Sequence, residues 1–164
     1  MTQSEQFLME AFAGESQANR RYLAFAQQAE KEGYPQVAKL FRAAAEAETV
    51  HAHAHLRALK GVRSTVENLK EAISGETHEF NIMYPAMIGT AIVEGHKEAE
   101  RSFKYANEVE KAHAALFEKA LANLDKQAEV DYCVCSVCGY TWEIESPEEC
   151  QLCCTKSRHF FKVE

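Results

Sequence analysis

Apolar residues recur at helical spacing through the first four-fifths of the chain, as in Phe7, Met9, Ala11 and Phe12, then Tyr22, Leu23, Phe25 and Ala26. Between them stand Ala, Glu, Leu, Lys and Gln, all strong helix formers. The pattern breaks at Gly33-Tyr34-Pro35, from Gly61 to Thr65, and at Gly95. Four helices are predicted, at 3–31, 36–60, 66–94 and 96–127. Pro85 falls inside the third and is expected to kink it, because proline removes a helical hydrogen bond and crowds the preceding turn.

The two halves of this helical region repeat. With an offset of 61, becoming 62, Gly14-Glu15 falls on Gly75-Glu76 and Tyr22 on Tyr84. Glu32-Gly33 then falls on Glu94-Gly95, and Phe41 on Phe103. Glu48 and His51 fall on Glu110 and His113. Each half reads as a helical hairpin, and two hairpins can pair with approximate two-fold symmetry into a four-helix bundle. The domain organisation expected is a bundle over 1–129 and a small appendix over 130–164.

Composition narrows the possible partners. The chain has 164 residues and a formal net charge of -7, with 25 acidic against 18 basic residues. That balance argues against nucleic acid, whose phosphates call for a basic face. No apolar run approaches the roughly 20 residues that span a bilayer. The start, MTQSEQFLMEAFAGE, lacks the basic and apolar regions of a signal peptide, so the expected compartment is the cytoplasm. All six cysteines fall between Cys133 and Cys154. In a reducing compartment such crowding reads as metal binding rather than a disulfide framework.

The repeat carries chemistry. Glu48-Thr49-Val50-His51 and Glu110-Lys111-Ala112-His113 are both Glu-x-x-His. On a helix, i and i+3 share a face, so each pair can offer a carboxylate and an imidazole to one ion. Glu15 and Glu76 stand at equivalent places on the other two helices, among apolar or small neighbours. A carboxylate in such surroundings costs several kcal/mol unless a partner offsets it. One Glu from each of two helices and Glu-x-x-His from each of the other two is the ligand pattern of the ferritin-like dinuclear carboxylate proteins. Four carboxylates would balance two divalent ions, and oxygen with imidazole suits iron or manganese better than soft metals. Glu79 breaks the symmetry: it lies one turn after Glu76, where the first half has Gln17 or Ala18. By spacing it reads equally as a solvated glutamate or as a seventh ligand.

In the appendix, Cys135-Ser-Val-Cys138 and Cys150-Gln-Leu-Cys153 have 11 residues between them. Two Cys-x-x-Cys pairs in a short tail predict a tetrahedral four-thiolate site. Spacing leaves zinc and iron both open; zinc would be structural, whereas iron could pass one electron. Tyr132, Tyr140, Trp142, Phe160 and Phe161 are expected to pack around it, while Cys133 and Cys154 are left over; both read as free thiols, with Cys154, beside Cys153, a lesser competitor for a ligand position.

Through FAGESQANRRY, AEAETVHA, NLKEAISGETHEF with MYP, EVEKAHA and the paired Cys-x-x-Cys tail, the chain resembles the rubrerythrins over nearly its whole length. The resemblance implies a ferritin-like di-iron four-helix bundle followed by a small irregular or β rubredoxin-like domain with one iron on four cysteines. It implies a peroxidase that reduces hydrogen peroxide to water in oxidative-stress defence, with NADH as the source of electrons through a separate reductase. It implies a homodimer or larger assembly in which the tail of one subunit approaches the bundle of another. Carried over by residue, one iron takes Glu15, with His51 or Glu79 exchanging as the oxidation state changes. The other takes Glu76 and His113, with Glu48 and Glu110 bridging. Tyr22 and Tyr84 match tyrosines that hydrogen-bond around the site. The resemblance favours iron on Cys135, Cys138, Cys150 and Cys153. In the tail, Ser136 and Gln151 replace the usual prolines, and Cys154 stands where the second knuckle has glycine. That glycine serves a positive-φ turn, which a Cβ disfavours. The rival readings are a ferroxidase or iron-storage protein, which would need no electron relay, and a non-enzymatic metal-binding protein with a zinc tail.

Overall fold

The computed structural model describes residues 1–126, 129–143 and 147–163. Its contacts divide the chain into two compact units, Met1–Arg63 and Ser64–Glu164, and the division falls between the two halves of the repeat.

The first unit is a hairpin of α1 (Gln3–Lys31) and α2 (Pro35–Ala58). Thr2 and Glu5 close a capping box at the start of α1, each satisfying an amide of the other's turn. Pro35 opens α2 at a position where its missing N–H costs nothing. The seam is built from small residues: Ala26, Ala29, Ala38, Ala45 and Ala52 are all buried, and Ala38 and Ala45 are fully so. Alanine on both faces lets the helices approach closely, and Phe41 packs against one end of this seam. Asn19 is buried in it and donates to the Ala45 carbonyl at 2.7 Å and to Thr49 Oγ1 at 2.8 Å. These bonds pin the helix register beside Glu15 and Glu48.

The second unit begins with a Ser64–Glu67 capping box and α3 (Thr65–His78). The predicted third helix is not one kinked α-helix. Its α-helical part stops at His78, a π-helical turn covers Glu79–Met83, and α4 (Tyr84–Glu94) follows. The physical cause is Pro85: inserting one wider turn ahead of it places the proline in the first turn of a new α-helix, where no N–H is required. Gly95 ends α4 with φ 71°, a left-handed cap that a Cβ would strain. The last helix, α5 (Lys97–Ala122), is shorter than the predicted 96–127; a 3₁₀ turn covers Leu124–Lys126, and residue 127 lies outside the described residues.

The chain then forms a three-stranded antiparallel sheet, in the order β2 (Thr141–Glu143), β1 (Tyr132–Cys135), β3 (Phe160–Val163). The architecture is therefore all-α helices followed by a small β metal-binding module, as expected. Tyr140, Trp142 and Phe160 stack in series, with centroids 5.0 and 4.8 Å apart, and give this small module an apolar body. The sheet packs against α5 within the same unit. Lys119 of α5 pairs with Glu143 of β2, and His113 of α5 meets Thr141.

Candidate metal centres

Helical spacing brings Glu48 and His51 onto one face of α2, and the α1–α2 seam sets Glu15 against them. His51 Nδ1 lies 3.2 Å from Glu48 Oε2 and 4.0 Å from Glu15 Oε1. The second unit repeats this: His113 Nδ1 lies 2.8 Å from Glu110 Oε2 and 3.8 Å from Glu76 Oε1. In each triad one ligand atom per residue falls within 4.8 Å of the others. An ion with bonds of about 2.1 Å sets its donors roughly 3 to 4.2 Å apart, so both triads have the spacing of a metal site.

The electrostatics point the same way. A hydrogen bond shared with Glu48 holds Glu15 above the ordinary carboxylate value, and the same bond holds Glu48 below it. In the second triad burial pushes Glu76 up to about 7, with the charge of Glu110 and their shared hydrogen bond adding to the effect. Burial raises Glu110 as well. Two carboxylates in contact cannot both ionise cheaply without a cation between them. These are donor sets that a divalent ion would complete.

Glu79 lies in neither triad. Its charge nevertheless raises Glu76, Glu110 and Tyr84, so it stands within electrostatic reach of the second triad. It is also the first residue of the π turn, a distortion frequent at functional sites. Nothing in the sequence except Pro85 signals that turn. Burial, then Glu110, Glu79 and Glu76, raise the Tyr84 phenol, which keeps it a proton donor. Tyr22 packs its ring on Phe25 and Phe41, and Tyr84 packs on Phe103. Among the described residues neither hydroxyl hydrogen-bonds a triad carboxylate.

The four cysteines converge as the spacing predicts. Cys135 Sγ lies 3.7 Å from Cys153 Sγ, and Cys138 Sγ lies 3.6 Å from Cys150 Sγ. With metal–sulfur bonds of about 2.3 Å, a tetrahedron has edges near 3.8 Å, so these two opposed edges fit one ion. Cys135 and Cys150 are almost wholly buried. Burial raises the Cys138 and Cys150 thiols. At Cys153 burial also opposes the thiolate, but Thr155, with its hydroxyl 3.2 Å from the sulfur, and the neighbouring cysteines outweigh it and bring the thiol down to about 7. The two knuckles are built alike. The Gly139 amide donates to the Cys135 carbonyl at 2.9 Å with φ 83°, and the Cys154 amide to the Cys150 carbonyl at 2.9 Å with φ 58°. Cys154 therefore does occupy the left-handed turn that favours glycine. Cys133 and Cys154 are free thiols, one half-buried and one exposed.

The chain is similar to known proteins. The rubrerythrin family model matches residues 6–121. Rubrerythrin-2 of Clostridium acetobutylicum is 38% identical, with 94% of this chain and 93% of that protein covered. Rubrerythrin of Porphyromonas gingivalis is 35% identical over 97% of this chain and 89% of that protein. Among solved structures, nigerythrin in a partially reduced state aligns with a TM-score of 0.61 and 30% identity, covering 99% of this chain and 88% of that one. A fully reduced, all-ferrous nigerythrin aligns equally well, with a TM-score of 0.61.

Proposed function

The chain belongs to the rubrerythrin family, a family of di-iron oxidoreductases, and from that premise we propose that it is a peroxidase reducing hydrogen peroxide to water in oxidative-stress defence. The two triads are read as the ligands of the iron that reacts with peroxide, and the four cysteines as the one-electron iron that refills it. The observation that carries this reading is the presence of both donor sets in one chain. A ferroxidase or storage protein has use for the carboxylates and histidines alone. No helix among the described residues is long and apolar enough to cross a membrane, which suits the cytoplasmic role proposed here.

Iron bound to these ligands would supply the two electrons that, with two protons, convert one peroxide to two waters. The protein's own contribution is charge, orientation and protons. Glu15, Glu48, Glu76 and Glu110 neutralise the bound cations, and His51 and His113 fill positions that carboxylates would overcharge. Glu79, outside the triads, is a spare carboxylate for the more highly charged, oxidised state. Tyr84, held protonated, can donate a hydrogen bond and cannot act as a phenolate acceptor. Cys153, its thiol brought down to about 7, would be a ligand of the four-cysteine iron, and Thr155 beside it would tune the potential. Electrons come from NADH through a separate reductase. The assembly proposed is a homodimer or larger homo-oligomer.

The test is steady-state peroxide consumption by the iron-loaded protein with a reducing partner. Cys150→Ser should stop turnover while leaving a single peroxide reduction by the prereduced bundle intact. Unchanged turnover in that variant would remove the four-cysteine site from the reaction.

A further inference from the structure

His113 presents its two ring nitrogens to different parts of the second unit. Nδ1 faces the triad, 2.8 Å from Glu110 Oε2. Nε2 lies 3.1 Å from Thr141 Oγ1, on β2 of the four-cysteine module of the same chain. A neutral imidazole has one N–H and one lone pair. If Nδ1 is to ligate a metal, the proton must sit on Nε2, and that N–H needs an acceptor. A threonine hydroxyl can accept it and pass its own proton on. Thr141 Oγ1 does so, donating to the Gly139 carbonyl at 3.2 Å. Gly139 follows Cys138 directly and is itself fixed by the hydrogen bond its amide donates to the Cys135 carbonyl, 2.9 Å. The contact is held from both sides, because Lys119 and Glu143 tie the same helix to the same strand. His51, in the equivalent place of the repeat, has no such partner for Nε2 among the described residues, and its side chain is 57% exposed against 29% for His113.

We propose that Thr141 is a positioning residue for the metal centre: its hydroxyl holds His113 by Nε2, fixes the tautomer that leaves Nδ1 free for the metal, and links the four-cysteine module to the triad through Gly139 within one chain. The link runs from the Gly139 carbonyl, one residue beyond Cys138, through the Thr141 hydroxyl to the His113 ring, all within one chain. Within the chain and among the described residues, the four-cysteine module meets His113 in this way and makes no such contact with His51. The proposal rests on His113 being a metal ligand and does not depend on peroxide being the substrate.

The experiment titrates Co(II) into the full-length, metal-stripped protein after the four-cysteine site has been filled with zinc, reading the d–d bands of the carboxylate–histidine sites. Thr141→Val keeps the shape and the β-strand preference and deletes the hydroxyl. It should weaken one of the bound Co(II) ions about 10–100-fold. Thr141→Ser, which restores the hydroxyl, should stay within about threefold of the parent. The ¹⁵N spectrum of the zinc-loaded protein should show a protected Nε2–H on His113 in the parent and Ser forms, and lose that protection in the Val form. The Co(II)–thiolate charge-transfer spectrum of the four-cysteine site, taken separately, reports whether each variant is folded, and Thr141→Ala serves as a second hydroxyl deletion. Parental affinity and a parental Nε2–H signal in both deletions, with His113→Ala weakened, would overturn the role of Thr141. Parental affinity in His113→Ala would overturn the ligand assignment itself, and the proposal with it.

Discussion

Replacing Cys154 with glycine should make the four-cysteine module more stable. Cys154 sits at φ 58°, and the matching residue of the other knuckle is Gly139 at φ 83°. A left-handed residue with a Cβ costs about 1–2 kcal/mol. Glycine removes that cost but gives back about 0.5–1 kcal/mol, because the unfolded chain gains freedom. The native side chain contributes one contact, a hydrogen bond to Glu149, which already pairs with Lys156. A thiol is a weak donor and Cys154 is exposed, so this contact offsets little. The net expectation is a gain of about 0.5–1 kcal/mol, which corresponds to a roughly two- to fivefold lower population of the opened module. The assay is the rate at which a chelator in excess removes the metal from the four cysteines, measured where opening precedes loss; Cys154→Gly should slow it by that factor. The reverse exchange, Gly139→Cys, should speed loss. A Cβ there would meet nothing closer than Val109 Cγ1 at 3.9 Å, so the penalty is conformational rather than steric. Equal or faster loss in Cys154→Gly would refute the reasoning and show that the Cys154 contacts outweigh the backbone strain.

Other outcomes follow from the same geometry. In metal-free protein the Glu76 carboxyl sits at about 7 against an ordinary 4.5. Between those values the folded chain holds a proton that the unfolded chain has released, so raising the pH across that window destabilises the fold, by roughly 1–2 kcal/mol after solvent screening, with the loss complete above pH 7. Urea midpoints at pH 5 and pH 7.5 measure it, and Glu76→Gln should flatten the slope; an equal slope in the variant would mean that another group titrates. Ala45 is fully buried in the α1–α2 seam, so Ala45→Leu should cost about 1–3 kcal/mol by forcing the helices apart, seen as a lower thermal midpoint. Thr155→Val should raise the Cys153 thiol and shift the potential of iron on the four cysteines, read by spectroelectrochemistry, because it deletes the hydroxyl 3.2 Å from the sulfur; an unchanged potential would remove Thr155 from the tuning of that site.

What was legible in the sequence is what period and spacing encode. Glu48 with His51 and Glu110 with His113 stand at i and i+3, so the helix itself places them together, and the repeat marks Glu15 and Glu76 as their counterparts. The cysteine pairs are equally local, and the strain at Cys154 follows from setting it against Gly139. The rest depends on contacts that no local pattern carries. Pro85 signals a disturbance but not its form, a π turn that begins at Glu79. The Asn19 bonds to Ala45 and Thr49 cross between helices, and nothing in the neighbourhood of Asn19 announces them. Thr141 stands 28 residues from His113, and no metal-binding motif includes it. Its position follows from how the sheet packs on α5, which helical periodicity does not describe.

The central claim is tested most directly on protein purified without oxygen and fully reduced, with iron and zinc counted per chain and the oxidation of iron then followed by stopped flow against hydrogen peroxide and against dioxygen. The account predicts about three irons per chain and oxidation of the carboxylate-bound pair that is far faster with peroxide than with oxygen. Zinc on the four cysteines, or a pair that oxygen oxidises faster than peroxide does, would contradict it and assign the chain to ferroxidase or storage chemistry instead.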